Sequence, residues 1–232
     1  MDAVILAAGL GTRLRPHTLH TPKPLLPIQG RPILDWALGA LPPAVDRVIV
    51  VTHYLAEQVD AYLSTQKHFA QWVTVPQHEP RGTGDALRRC RETLRSERFL
   101  VLNGDDLYGA ADLAELANCP AGLLVHPVDE PKRFGIAFLR KDGTLDRLVE
   151  KPDLVGRHPA NTGAYLFPRT VFEIEIQLSP RGEYEITDYV SGVAARQAVS
   201  VVAARFWLPI GTEEAWREAE KADLQKLLKG RT

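Results

Sequence analysis

Cysteine is scarce: Cys90 and Cys119 are the two in 232 residues. There is no CxxC pair and no Cys/His cluster at ligand spacing, which excludes a disulfide scaffold or a zinc module and fits a reducing compartment. Both are expected to be small buried apolar residues. Charge of one sign is missing as well. With 28 Lys and Arg against 29 Asp and Glu, the net charge is −1. The chain therefore carries no global basic field of the kind a non-specific nucleic-acid partner requires, and any phosphate site must be local. No apolar run reaches the length of about 18 residues that a membrane span needs. No basic segment precedes an apolar stretch at the N-terminus either. The expectation is a cytoplasmic protein without membrane or nucleic-acid partners. Internal repeats, low-complexity tracts and Pro/Ser/Gly-rich linkers are absent too.

What is present is an ordinary globular balance, 45% hydrophobic and 25% charged, in an alternating layout. Residues 2–6 are apolar and β-prone. "RPILDWALGAL" (31–41) has helical spacing, "DRVIVVT" (46–52) is a β-branched run, "LAEQVDAYLS" (55–64) is helical and "WVTVP" (72–76) is strand-like. "TGDALRRCRETL" (83–94) reads as a helix and "RFLVLNG" (98–104) as a strand. Such alternation predicts a parallel α/β sheet, and runs as apolar as Val48 to Val51 predict cover on both faces. After residue 120 the pattern turns strand-rich: "AGLLVHPV", "GIAFLR", "LDRLVEKP" and "TGAYLF", with a hairpin turn at Asp142-Gly143. Helices are expected over 184–196 and 213–229, with the strand "VSVVAARF" between them. The prediction is one domain, 1–232, on a central mixed, mostly parallel sheet. Ligands of such sheets lie beyond the carboxyl ends of the parallel strands. Residues 9–15, 77–83 and 103–106 fall there and should converge on one cleft.

"LAAGLGTRLRP" (6–16) follows the first apolar run. It lacks GxxxxGK[ST], and Gly9-Leu10-Gly11 has no third glycine three residues on, so it is neither a P-loop nor a dinucleotide fingerprint. A bare Gly-x-Gly reads as a tight turn. Arg13, Arg15 and then "TPKPLLPI", with Lys23 between Pro22 and Pro24, change its weight. Glycines let backbone N–H groups approach phosphate oxygens, and fixed cations neutralise them.

These residues resemble the signature of sugar-1-phosphate nucleotidylyltransferases, and the resemblance extends along the whole chain. "PQHEPRGTGDAL" (76–87) resembles the nucleobase loop of uridylyl and thymidylyl members. "LNGDD" (102–106) resembles the strand end with the metal-binding aspartate. "RFGIA" (133–137), "VEKP" (149–152) and "NTGAYLF" (161–167) resemble the sugar-phosphate wall, while "RGEYEITD" and "WLPIGTEEAW" resemble later motifs. The resemblance implies a Rossmann-like three-layer fold, with a nucleotide-binding half over about 1–120 and a smaller β-rich sugar-binding half over about 121–232. It also implies transfer of a nucleotidyl group from an NTP, UTP or dTTP, to glucose 1-phosphate or a close relative, with release of pyrophosphate. Sister enzymes use GTP or CTP with mannose-, heptose- or alcohol-phosphate substrates.

The implied roles follow residue by residue. Arg13 would hold the β/γ-phosphates, Lys23 would bridge the reacting phosphates, and Asp105 would ligate the cofactor Mg²⁺. Nucleotide contacts fall on Leu6, Ala7, Ala8, Gly9, Gly11, Thr12, Gln77, Gly82, Thr83 and Gly104. Sugar-phosphate contacts fall on Gly135, Glu150, Lys151 and Asn161. No Ser/His/Asp or Cys/His constellation is evident, and none is needed, because the nucleophile is already an anionic phosphate oxygen.

Other readings stay open. Arg15 serves equally as a solvated loop arginine. Asp105 and Asp106 serve equally as caps of a following helix. Glu183, Glu185 and Asp188 either shape a pocket or open the helix at 184–196. One departure stands out: relatives carry a second Mg²⁺-binding acid where this chain has Pro209, which allows a non-catalytic nucleotide-sugar sensor as a further reading. Asp106 is the neighbour expected to make up some of the lost charge. No hexapeptide repeat is present, so the acetyltransferase half of bifunctional relatives is not expected. The sequence does not specify an oligomeric state.

Overall fold

The computed structural model describes residues 1–225. In chain order its elements are β1 (Asp2–Leu6), β2 (Pro27–Ile28), β3 (Arg31–Pro32), α1 (Ile33–Ala40), β4 (Arg47–Thr52), α2 (Ala56–Thr65), β5 (Gln71–Pro76), α3 (Thr83–Arg89), β6 (Arg98–Asn103), β7 (Asp106–Tyr108) and α4 (Ala110–Ala117). There follow β8 (Gly122–Val128), β9 (Gly135–Leu139), β10 (Leu145–Glu150), β11 (His158–Pro168), α5 (Ile186–Arg196), β12 (Ser200–Ala203), β13 (Trp207–Pro209) and α6 (Glu213–Ala219).

The main sheet runs β10-β9-β11-β6-β1-β4-β5, with β8 paired to β11 and β12 to β8. Its β6-β1-β4-β5 side is parallel throughout. β11 joins β6 antiparallel, bringing the strand-rich half onto the same sheet. Alternation explains the two-sided burial. Val4, Leu6, Ile49 and Val51 belong to one apolar cluster with α3 and α5, while Ala3, Ile5, Val48 and Val50 belong to another with α1 and α4. α5 presents Ile186, Tyr189, Val190, Val193 and Ala194 inward, a stripe at i, i+3, i+4, i+7 and i+8 that matches the helical period. Gly143 at φ +82° turns the β9–β10 hairpin as expected.

Several boundaries differ from expectation. α3 stops at Arg89. The next carbonyls are taken by arginines from elsewhere: Thr93 O by Arg47, Leu94 O and Arg91 O by Arg169. α6 stops at Ala219, where the Gln29 amide takes the Ala219 and Ala222 carbonyls; residues 226–229 of the expected helix lie outside the described residues. The strand expected over 199–206 is cut after Ala203, because the buried Asp112 carboxylate accepts from Arg205 N (2.8 Å) and Phe206 N (3.1 Å) and bends the chain. α4 and β7 were not expected. Cys90 is fully buried, its thiol pushed up to about 12 by desolvation, but Cys119 is partly exposed, contrary to the expectation for both.

Candidate active site

The carboxyl ends of β1, β5 and β6 open on a cleft of about 500 Å³. Its walls include Leu6, Ala7, Ala8, Gly9, Gly11, Thr12 and Lys23 from the first loop, Gln77, Gly82 and Thr83 from the second, and Asn103, Gly104 and Asp105 from the third. The three loops therefore meet as expected. Glu183, which the sequence left undecided, joins them; the signal for it was the "RGEYEITD" stretch. Arg13 is exposed and does not line this cleft. Its guanidinium lies where a β-carbon on Gly211 would be 3.8 Å away, beside the Ile210-Gly211-Thr212 turn. A second cavity of about 520 Å³ lies behind α3, bounded by Arg88, Tyr184 and Phe172. The three loops do not reach it.

The first loop leaves β1 under the hydrogen bond from Ala7 N to Val51 O (3.0 Å). Gly11 sits at φ +62°, and a β-carbon there would lie 2.9 Å from Thr18 Cγ2 and 3.1 Å from Lys23 Cβ, so only glycine lets the loop close onto Lys23. Lys23 opens a short 3₁₀ turn after the extended Pro22. Its ammonium is mostly buried and is paired with the Asp105 carboxylate, which is more open. Arg13, by contrast, carries no ion pair among the described residues.

In the second loop, Gln77 is 3% exposed and its amide nitrogen donates to Gly82 O and to Asp85 Oδ2, both at 3.0 Å. Gly82 has φ +100°, and a β-carbon there would meet Tyr184 O at 2.4 Å. Tyr184 in turn ties this loop to the 181–185 segment, donating to Arg81 O and accepting from Gly84 N, each at 2.8 Å.

Asp106 faces away from the cleft lining. It is 6% exposed, takes a hydrogen bond from Trp207 Nε1 at 3.3 Å, and pairs across an antiparallel ribbon with Pro209. Burial, and next the Asp105 carboxylate, push its carboxyl up to about 8. Asp105 and Asp106 do not cap a helix: α4 begins after Gly109.

The residues expected to form a sugar wall lie close to one another. Gly135 pairs in register with Glu150, and a β-carbon on Gly135 would lie 3.0 Å from Glu150 Oε2 and 3.8 Å from Asn161 Cβ. Asn161 Nδ2 donates to the buried Tyr165 hydroxyl at 2.7 Å, and its Oδ1 accepts from Gly163 N at 3.1 Å. Lys151 Nζ stands 4.0 Å from Glu150 Oε1, and Arg181 is 3.9 Å from the same oxygen. This group adjoins the cleft through Asn103, which packs against Gly163.

Comparison with known proteins gives this geometry a context. The family model described as "Nucleotidyl transferase" matches residues 2–226. The chain belongs to the nucleotidyl transferase family. It is 33% identical over 230 residues to the bifunctional protein GlmU of Methanocaldococcus jannaschii, covering 98% of this chain and 55% of that protein. It is 31% identical over 236 residues to the glucose-1-phosphate thymidylyltransferase of Streptomyces griseus, covering 97% of this chain and 66% of that protein. The chain thus spans about half the length of the GlmU relatives it matches. A UDP-glucose pyrophosphorylase solved with UDP-glucose shares the fold, with a TM-score of 0.82 at 22% identity, covering 97% of this chain and 98% of that one.

Nucleotidyl transferases generally depend on a divalent metal. Among the described residues, no three His, Cys, Asp or Glu side chains form a ready-made cage. Mg²⁺ needs none: it commonly takes one or two carboxylates and completes its octahedron with water and substrate phosphates. Asp105, an accessible carboxylate beside a glycine loop, fits that mode, and Glu183 is the other carboxylate among the lining residues. Among the described residues no helix is long and apolar enough to cross a membrane.

Proposed function

We propose that the chain transfers a nucleotidyl group from UTP or dTTP to glucose 1-phosphate or a close relative. A sugar phosphate oxygen forms a bond to the α-phosphorus, the bond to the β-phosphate breaks, and pyrophosphate leaves. The observation that carries the reading is the meeting of Lys23 and Asp105 at the mouth of a glycine loop, with Gln77 and Gly82 across the same cleft.

The chain's residues work by position and charge. Backbone N–H groups of the 9–12 loop hold phosphate oxygens, and Arg13 takes the β/γ end. Lys23 bridges the reacting phosphates, a task its fixed turn suits. Glu150 and Asn161 take sugar hydroxyls, Gly135 lets the ring approach the backbone, and Lys151 neutralises the sugar phosphate. Asp105 would hold Mg²⁺, which when bound neutralises the phosphate charge that grows on the leaving pyrophosphate. No side chain has to remove a proton.

Incubating the protein with each NTP, Mg²⁺ and a panel of sugar phosphates, and measuring pyrophosphate, tests this reading. Release with UTP or dTTP and a hexose 1-phosphate is expected. Release with GTP or CTP and a mannose-, heptose- or alcohol-phosphate would move the chain to a sister reaction. Pro209, opposite Asp106, favours a second reading, a nucleotide-sugar sensor. Nucleotide binding without pyrophosphate release, and turnover gained on Pro209→Asp, would establish that one instead.

A further inference from the structure

Asp85 is 1% exposed and does not line the cleft. Its Oδ2 accepts from the Gln77 amide nitrogen at 3.0 Å and from Arg89 Nε at 3.2 Å, and its Oδ1 accepts from Arg88 at 2.9 Å. The second proton of the Gln77 amide goes to Gly82 O. A glutamine side chain can turn over at little cost, since its two ends have nearly the same shape. Here it cannot, because a carboxylate and a carbonyl only accept. Both hydrogens of the Gln77 amide must face them, which leaves its oxygen as the one atom free to interact with a ligand.

We infer that Asp85 is a positioning residue for nucleobase choice: by holding the Gln77 amide in one orientation, it makes Gln77 an acceptor and not a donor. The inference rests on the reading that Gln77 faces the base. An acceptor from Gln77 beside the N–H of Gly82, which donates to no backbone carbonyl among the described residues, forms an acceptor–donor pair. Uracil and thymine answer it with a ring N–H next to a carbonyl. Cytosine presents a bare ring nitrogen next to an amino group, the reverse order, so only a turned-over Gln77 would suit the ring nitrogen. Arg88 and Arg89 supply the charge that keeps Asp85 ionised in its buried position. Burial raises its carboxyl, but the bonds from Gln77, Arg88 and Arg89 outweigh this and hold it below the usual carboxylate range.

The test is equilibrium binding of UTP and CTP, each with Mg²⁺, to the full chain and to Asp85→Ala, Asp85→Asn and Gln77→Ala, with folding followed by circular dichroism. Asp85→Ala should shrink the UTP:CTP affinity ratio about tenfold, the value of one lost hydrogen-bond constraint. Asp85→Asn, which can still present an oxygen to Gln77, should keep most of the ratio. Asp85→Ser, too short to reach Gln77, replaces the alanine variant if that one fails to fold. Equal loss for both nucleotides with an unchanged ratio would mean a purely structural role and overturn the inference. If Gln77→Ala also leaves the ratio unchanged, or the wild-type chain shows no preference, the base-loop reading itself falls. A ratio altered by Gln77→Ala but not by Asp85→Ala or Asp85→Ser sinks the inference alone.

Discussion

The Lys23 ammonium rests on the Asp105 carboxylate, joining two loops at the carboxyl ends of the sheet. Each neutralises the other. A metal-bound triphosphate would give each a stronger partner, the phosphates for Lys23 and the cation for Asp105. The pair keeps two opposite charges at the cleft without leaving either unpaired.

Removing the cation should therefore cost catalysis and not the fold. Lys23→Ala is expected to lower kcat by about 10²–10³, with an unchanged circular dichroism spectrum. Turnover at the wild-type rate from the folded variant would end the phosphate role.

With no cluster of three or more ligating side chains among the described residues, metal and nucleotide should bind together. Calorimetry is expected to show weak Mg²⁺ binding alone and much tighter binding once a non-hydrolysable NTP is present, with the gain lost in Asp105→Asn. Tight Mg²⁺ binding by the protein without nucleotide would require ligands beyond Asp105.

Gly82 is held at φ +100° with no room for a β-carbon against Tyr184 O. Gly82→Ala should cost about 1–3 kcal/mol of stability and weaken nucleotide binding, while leaving the sugar wall intact. A Tm and an NTP affinity equal to wild type would mean that the second loop tolerates a different path.

Asp35 gives a pH test away from the cleft. Burial raises its carboxyl, but hydrogen bonds from His68, Tyr62 and Arg31 outweigh burial and hold it well below the usual value. A depressed folded pKa contributes stability that is present above the unfolded value, about 4, and is lost as pH falls through the folded one. Asp35→Asn should lower Tm at pH 7, and the gap from wild type should narrow as the medium becomes more acid than about pH 4. A gap that stays constant down to pH 2 would contradict this.

The parallel half was legible because β1, β4 and β6 are apolar on both faces and the loops after β1 and β6 carry glycines and charges. β7 and α4 were not legible. Asp106–Tyr108 is too short to show a period, and α4 follows it with a single glycine between them. The early ends of α3 and α6 depend on Arg47, Arg169 and Gln29, distant side chains that take carbonyls a continuing helix would use. Within the cleft, Gln77 and Asp105 were marked by their neighbours in sequence. Asp85 was not singled out, because its position in a helical run hides the fact that it faces back toward Gln77. The raised carboxyl of Asp106 likewise depends on its burial, with Trp207 donating to it.

β6 takes its neighbours from parts of the chain far apart in sequence: Leu100 pairs with Ala3, and Leu102 with Ala164. Its far side is thus an unsatisfied row of backbone groups until β11 has been made and docked. Contacts so distant in sequence form slowly, since chain closure must come before their reward. As the protein emerges during synthesis, the first loop and Asp105 exist well before the sheet around them is closed. The cleft therefore borders a strand whose second neighbour, β11, is made well after the first loop and Asp105.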